Sequence, residues 1–159
     1  MKYFLIILIL FIFIGCDKII NSNNLILSKE DGLFYEKSKE KPYTGAVIGR
    51  VDGKISKGKR EGQWLEFYVN GSLESKSNYK SGKEEGEKFW YYQNGKLEIK
   101  GNYKAGKEEG RFLSYDVNGR VVYEYNYKEG KLEGEWLHYY ENGELKEKRK
   151  YKDGKIIKI

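Results

Sequence analysis

The chain has a single cysteine and a single histidine, and each scarcity excludes something. With Cys16 alone no intramolecular disulfide can form. With His138 as the only imidazole the usual Cys/His zinc sets cannot be filled. A Ser-His-Asp or Cys-His arrangement would have to be built on His138, so the sequence predicts neither an enzyme nor a metal or cofactor site. No 3.6-residue apolar period runs through it, which argues against helices. Basic side chains number 30 against 24 acidic ones, but they are interspersed rather than blocked. That pattern reads as a solvated, Lys-rich surface and predicts no nucleic-acid partner.

What is present is repetition. Gly-Lys occurs at 58, 82, 106, 130 and 154, and Asn-Gly sits midway at Asn70-Gly71, Asn94-Gly95, Asn118-Gly119 and Asn142-Gly143. A fixed period of 24 residues is the signature of stacked units that each bury little alone. Asn-Gly between aromatic or β-branched runs marks a hairpin, and glycines such as Gly82 and Gly86 provide the positive φ for the return. The expected fold is all-β, an elongated single-layer antiparallel β-meander built from 24-residue hairpin repeats. Gly-Lys here precedes a strand rather than a helix and lacks the spacing of a phosphate loop. Glu61, Glu85, Glu109 and Glu133 recur in phase, and their expected role is to accept backbone N–H groups in the loops.

The hairpin register decides which side chains share a face. A two-residue Asn-Gly loop would mix Leu65 and Phe67 with Glu74 and Lys76. A three-residue loop, Val69-Asn70-Gly71 in the first repeat, sets Phe67 opposite Leu73 and is favoured by the other repeats. It predicts one apolar face holding Leu65, Phe67, Leu73 and Tyr79, then Phe89, Tyr91, Leu97, Ile99 and Tyr103. The same columns continue as Leu113, Tyr115, Val121, Tyr123 and Tyr127, then Leu137, Tyr139, Leu145 and Tyr151. The opposite face is expected to carry Trp64, Glu66, Tyr68 and Lys76, Lys88, Trp90, Tyr92 and Lys100, Phe112, Ser114, Asp116 and Glu124, and Trp136, His138, Tyr140 and Lys148. Exposed aromatics among charges make an interaction surface, with Trp64, Tyr68, Trp90, Tyr92, Trp136, His138 and Tyr140 as the candidate contacts. The competing reading is ring and cation packing that merely stiffens the sheet.

Before the array, residues 1–15 read as an export signal, with Lys2 followed by an apolar run from Tyr3 to Ile14. The run is short for a membrane span, which needs roughly 20 residues. Phe13-Ile14-Gly15-Cys16 resembles the lipobox of bacterial lipoproteins, and the resemblance implies that Cys16 becomes the acylated first residue of the mature chain. An ordinary signal peptide or an uncleaved anchor would use the same run. Residues 16–24 then read as a polar lipidated tether and residues 25–57 as a degenerate cap, with Asp52-Gly53 taking the place of Asn-Gly. Residues 58–159 are four repeats and an edge strand, whose Lys152, Lys155 and Lys158 discourage pairing with another sheet.

Gly-Lys-x-Glu-Gly, aromatic, Tyr, Asn-Gly-x-Leu and Tyr-Lys-x-Gly over residues 42–159 resemble the bacterial variant of the MORN (membrane occupation and recognition nexus) repeat, whose proteins are often labelled YwqK-like antitoxin components. The resemblance implies an elongated repeat scaffold. The expected function is a lipid-anchored protein of a bacterial cell envelope that binds a protein or an envelope polymer. The alternatives are an antitoxin or immunity protein that neutralises a toxin, and recognition of glycan or anionic lipid.

Overall fold

Strands and reversals alternate along the whole described chain, and the reversals account for the period. The computed structural model describes residues 18–158; the leader 1–15 and Cys16 lie outside the described residues. β1 (Ile19–Asn21), a 3₁₀ turn (Ser22–Asn24), β2 (Leu25–Leu27) and β3 (Phe34–Glu36) come first, then β4 (Gly45–Ile48) and β5 (Val51–Ser56). The repeats follow as β6 (Lys59–Phe67) with β7 (Leu73–Lys80), then β8 (Lys83–Glu84) and β9 (Gly86–Tyr91) with β10 (Leu97–Lys104). Next come β11 (Lys107–Glu108) and β12 (Gly110–Tyr115) with β13 (Val121–Lys128), then β14 (Lys131–Tyr139) with β15 (Leu145–Lys152), and β16 (Lys155–Ile157) lies at the edge. From β4 to β16 the strands form an antiparallel meander, as expected, in which the two-residue β8 and β11 pair only with β7 and β10, and β7 and β10 go on to pair with β9 and β12; β1 adds to β4 in parallel, and β2 and β3 form a separate hairpin.

Two kinds of reversal alternate. At Asn70 the loop is three residues long: the Tyr68 N–H donates to the Ser72 carbonyl (2.9 Å), the Gly71 N–H returns to the Tyr68 carbonyl (2.9 Å), and only Gly71 takes a positive φ. Asn70 instead accepts the Ser72 N–H on Oδ1 at 3.0 Å, a local bond that short polar side chains make readily. Asn94-Gly95 and Asn142-Gly143 repeat this, while at Asn118-Gly119 it is Asp116 Oδ1 that accepts the N–H groups of Asn118 and Arg120. The two-residue turns lie at the other edge. Ser81-Gly82, Ala105-Gly106, Glu129-Gly130 and Asp153-Gly154 have positive φ at both residues. Each first residue donates its N–H, at 2.8 to 2.9 Å, to Glu61, Glu85, Glu109 or Glu133, the loop role expected of these glutamates.

Beyond the three-residue loop the register departs from expectation. Phe67 does oppose Leu73, but the next pair is Glu66 with Ser75, so Glu74 is an extra residue, and Glu98, Val122 and Lys146 repeat the bulge. Because side chains alternate with period two, one extra residue transfers the rest of the strand to the other face. Tyr79, Ile99, Tyr103, Tyr123, Tyr127 and Tyr151 therefore join Trp64, Trp90, Phe112 and Trp136. Lys76, Lys100, Glu124 and Lys148 move to the face of Leu65, Phe89, Leu113 and Leu137.

At the N-terminal end the structure revises two boundaries. Residues 18–24 are not a free spacer, because β1 is paired and Ile20 is buried against Val47. Asp52-Gly53 is not a turn: both residues lie within β5, whose hairpin with β4 reverses at Gly49-Arg50. The β2–β3 hairpin packs against the first strands of the array. The Phe34 N–H donates to the Gly58 carbonyl (2.8 Å), and Leu25 and Phe34 pack on a core of Ile20, Tyr43, Val47, Ile55 and Trp64.

Candidate binding face

The bulges assemble a face of rings. Trp64 lies beside Gly53 of β5, where a Cβ would come within 2.4 Å of the indole, and Phe112 lies beside Gly101 of β10, where a Cβ would come within 2.0 Å of the ring. These glycines are 48 residues apart, as are the rings, so the arrangement recurs in every second unit. Between them the same positions hold Ser77 with Lys88, and after them Tyr125 with Trp136. A strand glycine forgoes its own packing and admits a large ring from the next strand.

Cations lie over the rings. The Arg60 guanidinium is 4.7 Å from the Trp64 ring centre and 5.1 Å from that of Tyr79, with the cap's Phe34 at 5.6 Å. Its Nη1 donates to the Tyr79 hydroxyl at 2.9 Å. Lys88 lies 4.6 Å from the Trp90 ring and donates to Glu84 at 2.6 Å. Arg149 lies 5.0 Å from Trp136 and donates to Glu147 at 2.6 Å. In the third repeat rings alone fill the space, with Phe112 stacked on Tyr125 at 5.8 Å and edge-on to Tyr127 at 5.0 Å. Burial pushes the Tyr103 hydroxyl well above the ordinary tyrosine value, with Glu108 and Glu84 adding to the shift, and raises those of Tyr125 and Tyr127 in the same direction, so these phenols stay neutral.

The candidate contacts divide into three groups. Trp64 is 1% exposed under the cap and gives its indole N–H to the Lys54 carbonyl at 3.2 Å, so it belongs to the core rather than to an exposed surface. Tyr68 and Tyr92 sit where each three-residue loop begins, and their hydroxyls donate to the carbonyls of Tyr91 and Tyr115 at 2.7 Å, stapling one repeat to the next. Trp90, Trp136 and His138 are half-buried on the ring face, with Tyr123 bridging the last two at 5.3 Å from Trp136 and 4.5 Å from His138. Tyr140 is 51% exposed at the final loop, with Lys146 over its ring at 5.4 Å.

The sequence reading missed Arg60, Arg149, Gly53 and Gly101, and it placed Tyr103 and Tyr123 on the wrong side. The available signal was the coincidence of the two strand glycines with the two large rings at a spacing of two repeats. Chemically the face offers flat apolar rings, neutral phenols and cations already partnered to carboxylates. Among the described residues no group of His, Cys, Asp and Glu could hold a metal ion.

Residues 60–81, 84–105 and 132–157 match the family described as MORN repeat variant, and the intervening stretch has the same strand, loop and strand geometry. Three of the four hairpin units are thus similar to MORN-type repeats, which are generally protein- or membrane-binding modules. No curated protein matches the chain. Among solved structures it is similar to a chain of accessory secretory protein 1, 2 and 3 in Streptococcus pneumoniae, at 13% identity and a TM-score of 0.38 over 72% of this chain and 21% of that one. A chain of the GtfA/B complex bound to UDP and GlcNAc is similar at 12% identity and a TM-score of 0.26, over 72% of this chain and 25% of that one. The chain therefore spans a quarter or less of either structure.

Proposed function

We propose that this protein is a non-enzymatic scaffold, held at a bacterial cell envelope by an acylated Cys16, that binds a protein segment across the part of its ring face that the cap leaves open. One observation supports this reading. The β2–β3 hairpin covers the face only around Trp64, whereas Trp90, Tyr103, Tyr123, Trp136 and His138 continue the same surface and are only half-buried. Phe34 shows the chemistry that suits such a face, an apolar side chain laid beside a cation already resting on rings. An extended partner strand bearing aromatic or aliphatic residues would bury those rings in the same way.

The test is capture by the full acylated chain from detergent-solubilised membranes, wild type against Tyr123→Ala with Trp136→Ala. A specific protein retained by the wild type and lost by the double variant, with the thermal midpoint of the rest of the array preserved, supports the reading. Equal retention by both overturns the assignment of this face. A toxin as the retained protein selects the immunity role for the same surface, while retention of envelope glycan or lipid without protein replaces the protein partner.

A further inference from the structure

We propose that the leader-proximal end of the sheet docks on anionic lipid headgroups of the membrane that carries the anchor, through the Lys37–Lys41 loop beside Lys18; this rests on the acylation of Cys16 proposed above. The argument begins with reach. β1 starts at Ile19, and Ile20 is fixed in the core against Val47. Only residues 17 and 18 separate Cys16 from β1. At no more than about 3.6 Å per residue, the Cys16 Cα lies within about 11 Å of that of Ile19. A thioether-linked lipid at Cys16 therefore leaves no slack to lift the array from the bilayer, contrary to what a spacer of residues 16–24 would have allowed.

The second step is what surrounds that point. Lys18 is held on its backbone side, where its carbonyl accepts the Ala46 N–H at 2.8 Å and lies 2.8 Å from the Tyr43 hydroxyl. Lys18, Lys39, Lys41 and Tyr43 line one open depression together with Glu36 and Glu40. Glu36 is taken up by an ion pair with Lys18, which leaves Lys37, Lys39 and Lys41 on an exposed loop against the single charge of Glu40. The loop turns back at Ser38, whose φ is positive, and the Tyr35–Pro42 bridge closes it, so its lysines are presented on a short, tied segment. A cationic loop this close to an acylated residue meets the headgroup layer, where negatively charged lipids attract each lysine. The docked loop would fix the tilt of the array, so that the open ring face lies at a set angle to the membrane.

The experiment uses the full acylated chain carrying Ser38→Cys. The engineered thiol is the only free one, because Cys16 is consumed by the thioether. It is labelled with a fluorophore, and the chain is reconstituted in vesicles of phosphatidylcholine alone or of phosphatidylcholine mixed with phosphatidylglycerol, each containing a headgroup-level quencher. Glu141→Cys, on the last three-residue loop, is the distant control. The expected result is several-fold stronger quenching at position 38 than at 141 in mixed vesicles, reduced in phosphatidylcholine alone and by Lys37→Glu, Lys39→Glu and Lys41→Glu combined. Equal quenching at the two positions, or quenching indifferent to the lysines and to lipid charge, overturns the docking while leaving the anchor in place. The intact mass of the purified chain separates the two readings: an unacylated Cys16 overturns both.

Discussion

Large rings fit in this one-layer sheet because two residues give way to them. Gly101 is buried, its φ needs no glycine, and the reason for a missing side chain is the Phe112 ring lying in the space a Cβ would fill. Phe112 is itself 3% exposed and hemmed by Tyr103, Tyr125 and Tyr127, so it cannot swing aside without disturbing three more rings. Gly101→Ala should therefore lower stability by about 1–3 kcal/mol, the usual cost of overfilling a packed site, seen as a lower urea midpoint. Adding Phe112→Leu, which shortens the obstructing ring, should recover part of the loss. A midpoint unchanged by the alanine would mean that the ring moves freely and that the glycine has another cause. Trp64 over Gly53 repeats the contact under the cap, so its large buried side chain stabilises the fold and is not available to a partner.

At the level of the hairpin, the residue most associated with two-residue turns is used elsewhere. Asn precedes Gly in the three-residue loops, where in three of the four its side chain accepts a backbone N–H, while the tight turns begin with Ser81, Ala105, Glu129 and Asp153. Ala105 at φ 51° bears the steric cost of a left-handed backbone without any side-chain bond in return. Ala105→Asn should raise stability by about 0.5–1 kcal/mol, since Asn-Gly suits this turn, and chemical denaturation would show it as a higher midpoint. A lower midpoint would mean that the Glu85 bond to the Ala105 N–H had been compromised. The same elements show how far the chain could be read in advance. The 24-residue period and the column of Val69, Asn70 and Gly71 were enough for the strands and the three-residue loop. The bulge residues Glu74, Glu98, Val122 and Lys146 follow no single residue type and carry no turn signal, so the transfer of Tyr79, Tyr103 and Tyr127 to the ring face was hidden. The cap was visible as irregularity, but its first strand was not, because Ile19-Ile20 stands among polar residues and its partner Val47 is remote in sequence.

Across the whole molecule, burial is uneven and declines along the array. Fully buried apolar side chains cluster from Ile20 to Trp64 beneath the cap, Phe112 is a second island, and β15 and β16 have mostly exposed residues, including Leu145 and Ile156. Units that touch only their neighbours gain stability from each interface in turn, so among the described residues the end far from the β2–β3 hairpin should open first. The ring face of the fourth repeat, with Trp136 under Arg149, would then be the least protected part of the sheet as well as its most open surface. Amide hydrogen exchange is predicted to be slowest in β5, β6 and β7 and faster in β15 and β16 by an order of magnitude or more, as local opening sets the rate. A partner that covers Tyr123, Trp136 and His138 should slow exchange selectively in β13 to β15, because binding adds an interface where the array has fewest. Uniform protection from β4 to β16 in the free protein would instead mean that the sheet opens as one unit, and the fourth repeat would need no partner to hold it.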